Sequence, residues 1–333
     1  MPENSALEFI GIFGGAALLD YVLGDPWALP HPVQVMGWGI QRYQTLALSW
    51  LKRPRPQRIA GIGLTLLLTG MSGLVAWGIL AIARQLSPWL YGGCHIVILA
   101  SCWAGRSLRQ AAEDVLLPLG EGNLDQARSR LRLYVGRDTE ALEEAEILRA
   151  VLETVAENSV DGVMAPLFYG LVGAIVPGLG AAPLAIAYKA VSTLDSMVGY
   201  REPPWTHLGW CSARTDDILT WMPCRLTVLT LALISGHPRR VWQLCQRDGP
   251  RDPSPNSGWS ECAYAASLGV QLGGTNRYRG RIKQKPRVGE PHQPITPEII
   301  RQGLHLTRTC FILWIILALG ILGAWQWRMT GLN

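Results

Sequence analysis

The stretch IAGIGLTLLLTGMSGLVAWGILAIA (residues 59–83) contains no charged side chain over 25 residues. A helix needs about 20 consecutive apolar residues to cross the hydrocarbon core of a bilayer. The glycines in this stretch would weaken a water-soluble helix, but glycine is frequent in membrane-spanning helices. The stretch therefore predicts a membrane span, and with it an integral membrane protein.

The overall composition agrees with a membrane protein. Of 333 residues, 49% are hydrophobic and only 17% are charged, whereas soluble domains carry about 25% charged residues. These figures exclude an intrinsically disordered chain and a coiled coil. The formal net charge of +5 does not require a nucleic-acid partner, because the basic segment KRPRPQR (52–58) directly precedes the clearest span and marks a cytoplasmic loop.

Further apolar segments predict an all-α, polytopic membrane fold built as a single membrane domain over residues 1–333. Two of these segments, 162–188 and 218–236, contain prolines or an arginine, so we expect broken or re-entrant helices there. We expect a cytoplasmic helical stretch at 106–161 and a basic cytoplasmic stretch at 237–308. The predicted spans are 6–24, 59–83, 85–105 and 309–327.

Several familiar catalytic and metal-binding patterns are absent from the sequence. The seven cysteines are odd in number and contain no CxxC pair, which excludes a disulfide framework and a cysteine zinc site. There is no GxxxxGK[ST], HExxH or GxSxG motif. The P-loop, metalloprotease and serine-hydrolase classes are therefore excluded.

Acidic residues lie at the point where a helical stretch meets an apolar segment. Arg149 and Glu153 are four residues apart, and we interpret them as a solvated surface pair worth a few tenths of a kcal/mol. Glu157, Asn158 and Asp161 directly precede the apolar segment GVMAPLFYG. A charge within lipid would cost roughly 2.5 to 3.5 kcal/mol, so we expect these three residues to face a cavity and bind a ligand.

Polar side chains cluster in the same way beside other apolar segments. Carboxylate and amide oxygens suit Mg²⁺, and arginine suits carboxylates and phosphates. These residues predict a charge-lined site for anions and Mg²⁺, but they fit an enzyme and a transporter equally well. They are Asp25, His31, Asp195, Arg201, Arg214, Asp216, Asp217, Arg225, Ser254, Asn256, Glu261, Asn276 and Tyr278.

Six motifs follow one another between the first apolar segment and about residue 290. They are LDYVLGDPWALPHPVQVMG (19–37), VGRDT (135–139), ETVAENSVDGVMAPLFY (153–169), AVSTLDSMVGYR (190–201), GWCSARTDDILTWMPCRLT (209–227) and SPNSGWSECAYAASLGVQLGGTNRYRG (254–280). In this order they resemble the cobalamin biosynthesis family CobD/CbiB, the adenosylcobinamide-phosphate synthases. Six separate motifs are far more specific than any one of them.

The resemblance implies an amide ligation. The family joins (R)-1-aminopropan-2-ol or its O-phosphate to the free propionate of adenosylcobyric acid, with ATP and Mg²⁺ as the expected cofactors. The resemblance also implies other late corrinoid-pathway enzymes as partners, in addition to the lipid bilayer. We expect a multi-pass protein of the cell (inner or plasma) membrane with its active face in the cytoplasm.

The resemblance does not assign individual roles, so we group the candidate residues by chemistry. The catalytic candidates are Glu157, Asp161, Asp195 and Asp217, and the metal candidates are Asp161, Asp216 and Asp217. The substrate- and phosphate-binding candidates are His31, Asn158, Arg201, Arg214, Arg225, Ser254, Asn256 and Asn276. The basic segment RYRGRIKQKPRVGE is more charged than this chemistry requires, and we interpret it as a loop that faces lipid or phosphate.

A membrane transporter of a corrinoid or another anion is the alternative, because segments broken by Gly and Pro near polar residues are also typical of transporters. Two observations oppose it. Many of the polar motif residues lie in long stretches outside the apolar segments, and the sequence shows no inverted repeat.

Overall fold

The computed structural model describes residues 6–24 and 31–330, so the candidate Asp25 lies outside the described residues. The fold is essentially all-α, as predicted. Its helices are α1 (Ala6–Val22), α2 (Pro32–Trp50), α3 (Pro54–Leu86), α4 (Pro88–Ala100), α5 (Gly105–Gly120), α6 (Leu124–Leu131), α7 (Glu144–Asn158), α8 (Ala165–Ile175), α9 (Ala181–Val198), α10 (Trp210–Ile234), α11 (Pro238–Asp248), α12 (Ser257–Leu268) and α13 (Pro297–Thr330). One two-stranded hairpin, β1 (Gln271–Tyr278) and β2 (Arg281–Gly289), joins α12 to α13.

Among the described residues, three helices are long and apolar enough to cross a membrane: α3, α10 and the first 25 residues of α13. The predicted span 59–83 lies within α3, and most of the predicted span 309–327 falls in the apolar part of α13. The predicted span 6–24 corresponds to α1, which has 17 residues. The prediction for 85–105 is wrong in length, because the chain turns after Ala100 and leaves α4 with 13 residues, about 20 Å of helix.

The segment 218–236 is not a broken helix pair, because it belongs to the continuous helix α10. Pro223 lacks the N–H that would bind the carbonyl of Leu219. The hydroxyl of Tyr169 donates to that carbonyl at 2.8 Å instead. A side chain from α8 thus satisfies the group that proline leaves open, and the helix continues.

The segment 162–188 does break, as the sequence indicates. A π-helical turn (Ser159–Met164) leads into α8, and α9 packs against α8 after a turn at residues 176–180. The backbone of Gly180 has a φ of +79°, which favours glycine. A Cβ on Gly173 would lie 2.3 Å from the carbonyl oxygen of Gly180, so the close approach of the two helices requires glycine there as well.

The chain divides into two units. The first unit contains residues 1–106, 165–219 and 313–333. Its interior includes the apolar cluster Ile40, Leu64, Leu194 and Val198, which brings together α2, α3 and α9. This unit contains α3, whose apolar surface is largely exposed. Only 17% of the most apolar part of this helix is buried.

The second unit contains residues 107–164 and 220–312. Helices α7, α11 and α12 pack against the hairpin in this unit. The hairpin corrects the interpretation of RYRGRIKQKPRVGE as a loop, because this segment contains the end of β1, the turn and all of β2. Its strands are joined by Arg279 and Gly280, which both have positive φ, as a two-residue hairpin turn requires.

Candidate functional site

The carboxylate of Glu153 joins α7 to the hairpin inside the second unit. Only 2% of Glu153 is exposed. Its Oε1 accepts hydrogen bonds from the backbone N–H of Gly273 at 2.9 Å and from Arg149 at 3.0 Å, and its Oε2 accepts one from Arg137. A buried charge is tolerated when it is paired and fully hydrogen-bonded. The interpretation of Arg149 and Glu153 as a solvated surface pair is therefore wrong.

The same two arginines fix the orientation of Asn276, a predicted binding residue. Its Oδ1 accepts hydrogen bonds from Arg137 at 2.9 Å and from Arg149 at 3.1 Å. Because arginine only donates, the oxygen must be the atom that faces them. The Nδ2 group is therefore directed away from both guanidinium groups, and it is buried with no hydrogen-bond partner among the described residues.

A second acid-cation contact lies between α12 and the hairpin. Lys285 on β2 donates to Oε1 of Glu261, a residue that is 1% exposed. Within the part of the chain that the structure describes, Oε2 of Glu261 has no hydrogen-bond partner although it is buried. Glu157, one helical turn after Glu153 on α7, is solvent-exposed and interacts electrostatically with Lys285.

The surroundings of Glu261 and Lys285 favour protonation of both groups. Burial raises the pKa of the Glu261 carboxyl to about 8, although the nearby ammonium opposes this. Burial alone would lower the pKa of Lys285, but the neighbouring carboxyls of Glu261 and Glu157 outweigh it and raise that pKa. A carboxyl raises the pKa of Lys285 in this way only while it is ionised, so the two shifts describe one coupled pair and not two independent groups.

The pKa values of Glu153 and Glu157, both on α7, are shifted in opposite directions. Although Glu157 reaches the surface, the protein packed around its carboxyl disfavours the charged form and raises its pKa, and Lys285 opposes this rise. Burial would also raise the pKa of Glu153, but Arg137 and Arg149 outweigh it and lower that pKa. Glu153 is thus ionised at neutral pH, whereas Glu157 can exchange a proton with solvent at a higher pH than an ordinary glutamate.

The other predicted residues of the second unit lie in turns and at helix ends. The Oγ of Ser254 accepts from the backbone N–H groups of Asn256 and Ser257, both at 3.2 Å, and so shapes the turn before α12. Asn158 donates to the carbonyl of Thr154 at 2.9 Å. Asp161 lies half-buried in the π-helical turn.

Arg225 makes contacts that stabilise the fold. Its guanidinium carbon lies 4.0 Å from the ring centroid of Trp259 and 5.3 Å from that of Trp221. It also donates to the carbonyl of Pro255 at 2.8 Å. Its predicted role in binding an anion stays a prediction.

Six predicted residues belong to the first unit. His31 accepts from the backbone N–H of Val33 through Nδ1 and caps α2. Arg214 and Asp217 are paired at 3.6 Å, and Arg201 lies close enough to interact electrostatically with Asp217. The remaining two are Asp195, which is half-buried near the end of α9, and Asp216, which is buried on α10.

The predicted metal ligands fall in both units, with Asp161 in the second and Asp216 and Asp217 in the first. Among the described residues, no group of three or more His, Cys, Asp or Glu side chains is arranged to hold a metal ion. Metal binding by these aspartates stays a prediction.

Sequence reasoning placed Glu261 among the clustered polar residues without assigning it a role, and it did not select Arg137, Glu153 or Lys285 as site residues. The signals were present in part, since the first three lie within the quoted motifs VGRDT, ETVAENSVDGVMAPLFY and SPNSGWSECAYAASLGVQLGGTNRYRG. Lys285 lies in a run of basic residues with no distinguishing neighbour. Only the pairing of β1 with β2 reveals that Lys285 faces the acids, because it places Lys285 opposite Gly274.

Comparison with known proteins gives a consistent result over nearly the whole chain. The family model described as CobD/Cbib protein matches residues 13–307. The cobalamin biosynthesis protein CobD of Synechocystis sp. is 52% identical over 325 residues, which are 98% of this chain and 95% of that protein. The cobalamin biosynthesis protein CbiB of Salmonella typhimurium is 40% identical over 322 residues, covering 95% of this chain and 97% of that protein.

A third relative agrees with these two. The cobalamin biosynthesis protein CobD of Citrobacter koseri is 40% identical over 310 residues, covering 92% of this chain and 93% of that protein. No solved structure matches the chain. Because the family model spans most of the chain and the relatives align with it almost end to end, this protein belongs to the CobD/CbiB family.

Proposed function

We propose that this protein acts in cobalamin biosynthesis as a carbon-nitrogen ligase. It would join (R)-1-aminopropan-2-ol or its O-phosphate to the free propionate of adenosylcobyric acid and release adenosylcobinamide or its phosphate. The nearly full-length similarity to proteins named for cobalamin biosynthesis supports the pathway. The observation that supports the chemistry is the buried cluster of acids and cations in the second unit, in which Nδ2 of Asn276 and Oε2 of Glu261 have no hydrogen-bond partner within the described part of the chain.

Amide formation from a carboxylate and an ammonium needs activation of the carboxylate. ATP with Mg²⁺ would supply it: a propionate oxygen bonds to the γ-phosphorus as the bond to ADP breaks, then the amine nitrogen bonds to the acyl carbon as phosphate leaves, with one net proton released. The residues of the second unit fit these groups. Mg²⁺ is usually bound by one or two carboxylates together with substrate phosphates, and Asp161 is the predicted metal ligand in this unit.

Two side chains have the chemistry for the amide-forming step. The unpartnered Nδ2 group of Asn276 is held rigidly by two arginines, so it can donate to an oxygen on which negative charge develops. Glu157 is exposed and has a raised pKa, so it can accept a proton from the ammonium of the amine substrate. The roles of the first-unit candidates in substrate binding stay predictions.

The test is a reconstituted reaction. We expect the purified protein in lipid nanodiscs to convert adenosylcobyric acid to the amide product when ATP, Mg²⁺ and aminopropanol or its phosphate are present, as measured by mass spectrometry. Samples without ATP or without the amine serve as controls. Failure to form product with protein that is folded by circular dichroism would contradict the ligase proposal, and corrinoid uptake by the same protein in liposomes would favour the transporter.

A further inference from the structure

The end of the hairpin that is farthest from α12 and α13 along the strands presents a group of exposed side chains, which we call the tip surface. It consists of Arg277, Arg279, Arg281, Ile282 and Lys283, all of which are solvent-exposed. Four of these residues are cations, and residues 277–287 contain no acidic side chain. Salt bridges among the described residues involve none of the four cations.

Other exposed arginines of the second unit do have acidic partners. The pairs are Arg128 with Asp125 at 2.8 Å, Arg130 with Asp114 at 3.7 Å, Arg132 with Glu140 at 3.5 Å, Arg240 with Glu290 at 3.0 Å and Arg301 with Glu298 at 3.6 Å. One acid, Asp138, does lie at the hairpin turn. Its two oxygens accept from the backbone N–H groups of Arg279 and Gly280 at 2.9 and 2.7 Å, so it holds the turn and does not pair with the cationic side chains.

The cations of the tip surface point in several directions. Arg277 lies opposite Ile282 in the register, so these two side chains share one face of the hairpin. Arg281 and Lys283 flank Ile282 on the same strand and therefore lie on the other face, while Arg279 is in the turn. A single soluble phosphate cannot contact all four cations at once. An extended layer of negative charges around the tip can.

A lipid bilayer lies within reach of this surface. Residues 290–296 join β2 to α13, one of the helices long and apolar enough to cross a membrane. Seven residues span at most about 25 Å when fully extended. Because the hairpin is tethered in this way, it meets lipid headgroups at a high effective concentration, whereas a soluble partner must bind from dilute solution.

We propose that the tip surface docks on the anionic phospholipid headgroups of the bilayer that α13 enters. The four cations bind lipid phosphates, and Ile282, which is 66% exposed, enters the boundary between headgroups and acyl chains. This docking does not depend on the ligase reaction. It gives the basic segment RYRGRIKQKPRVGE a function that the chemistry of amide formation does not require.

The experiment measures how close the hairpin lies to lipid headgroups in the full-length protein. A fluorophore is attached to Gln284→Cys, an exposed and uncharged position on β2, in a background where the half-buried Cys94 and Cys211 are replaced by alanine. The protein is placed in nanodiscs that contain a lipid with a nitroxide quencher on its headgroup. With about 30% phosphatidylglycerol, we expect at least about threefold stronger quenching than in pure phosphatidylcholine.

Salt should reverse this difference. About 1 M NaCl shortens the screening length to roughly 3 Å, so quenching in the anionic nanodiscs should fall to the level found in phosphatidylcholine. Equal quenching in both lipids at low salt, or strong quenching in anionic nanodiscs that high salt does not weaken, would overturn the proposal. These measurements need no substitution within the tip surface.

A double variant then assigns the effect to the cations of the tip. Arg277→Gln with Arg279→Asn should lower quenching in anionic nanodiscs to the phosphatidylcholine level. Asparagine is chosen at position 279 because it tolerates the positive φ of +49° found there. The matched control, Arg130→Gln with Arg132→Gln, removes two other arginines of the same unit and should quench like the parent protein.

An equal loss of quenching in both double variants would show that only net charge matters, and it would contradict docking through the tip. Thermal unfolding in detergent establishes that the compared proteins are folded. A final arm adds MgATP or inorganic phosphate against NaCl of the same ionic strength. If either phosphate compound abolished the quenching and NaCl did not, the cations would belong to a soluble phosphate site and lipid docking would be refuted.

Discussion

At the scale of single residues, the side chain of Asn276 is the most sharply defined element of the candidate site. Both acceptor positions of its Oδ1 are used by arginines, and only 4% of the residue is exposed. A buried N–H without a partner costs free energy comparable to a lost hydrogen bond. Such a cost is tolerated at a functional site because a ligand can supply the missing acceptor.

The substitution Asn276→Asp removes the Nδ2 donor and keeps the oxygen that accepts from the two arginines. Aspartate retains an oxygen for Arg137 and Arg149 but offers no N–H. Loss of one preorganised oxyanion donor typically lowers kcat by about 100- to 1,000-fold, so we expect a loss of that size in the ligation assay. The matched control is Asn123→Asp at the N-cap of α6, where asparagine and aspartate cap equally well.

The two asparagine variants must both fold for this comparison to hold. Equal melting temperatures in detergent would establish that. If Asn276→Asp then retained near-normal turnover, Nδ2 would have no part in the reaction and Asn276 would be only a structural residue that orients two arginines.

Single residues also show which contacts can be predicted from local spacing in the sequence and which cannot. Glu157 was selected because it directly precedes an apolar segment, a signal that is visible within a few positions of the chain. Glu153 was wrongly interpreted as a solvated surface residue, because its i,i+4 pairing with Arg149 is typical of exposed helices. Its decisive partners lie 16 and 120 positions away, at Arg137 and Gly273, and no local pattern reports them.

At the scale of elements, the hairpin determines the geometry of the candidate site. Its register contains an irregularity between Leu272 and Gly274, where Gly273 faces Pro286 and Arg287. Proline is tolerated in strands at such bulges, since no ladder hydrogen bond is required of it there. Gly273 has a φ of +86°, and a Cβ on it would lie 2.1 Å from the carbonyl oxygen of Pro286.

The substitution Gly273→Ala should therefore disrupt the bulge. We expect Gly273→Ala to lower the melting temperature and to abolish ligation, because the N–H and carbonyl of Gly273 bind Glu153 and Arg149. Thr275→Ala, on the exposed face of the same strand, is the control that should behave as wild type. A stable and active Gly273→Ala protein would mean that the hairpin register does not position these residues.

Hydrophobic pattern accounts well for long helices and poorly for elements that depend on distant contacts. The charge-free stretch within α3 identified that helix because burial in lipid depends on composition alone. The continuity of α10 across Pro223 depends on the hydroxyl of Tyr169, which is 50 positions before Leu219 in the chain. The hairpin was missed because its polar and basic strands lack the apolar alternation that marks a strand.

At the scale of the whole molecule, the large exposed apolar area on α3 requires a partner other than water. Leu66, Leu67 and Leu74 are each more than 60% exposed, and they lie on a 33-residue helix. Contiguous apolar surface of this kind marks a membrane or protein interface. The basic segment 52–58 before α3 then predicts the orientation of the chain, because positive charges remain on the cytoplasmic side.

This orientation can be tested by labelling single cysteines with a membrane-impermeant maleimide, in a background where the half-buried Cys94 and Cys211 are replaced by alanine. Arg279→Cys, at the tip of the hairpin, should be labelled in inverted membrane vesicles but not in intact cells if the acid-cation cluster has access to cytoplasmic ATP. Trp89→Cys, which follows α3 and replaces a 91% exposed residue, should show the opposite pattern. Labelling of Arg279→Cys in intact cells would place the hairpin outside the cytoplasm, where ATP is scarce, and would contradict both the predicted orientation and an ATP-dependent reaction at this site.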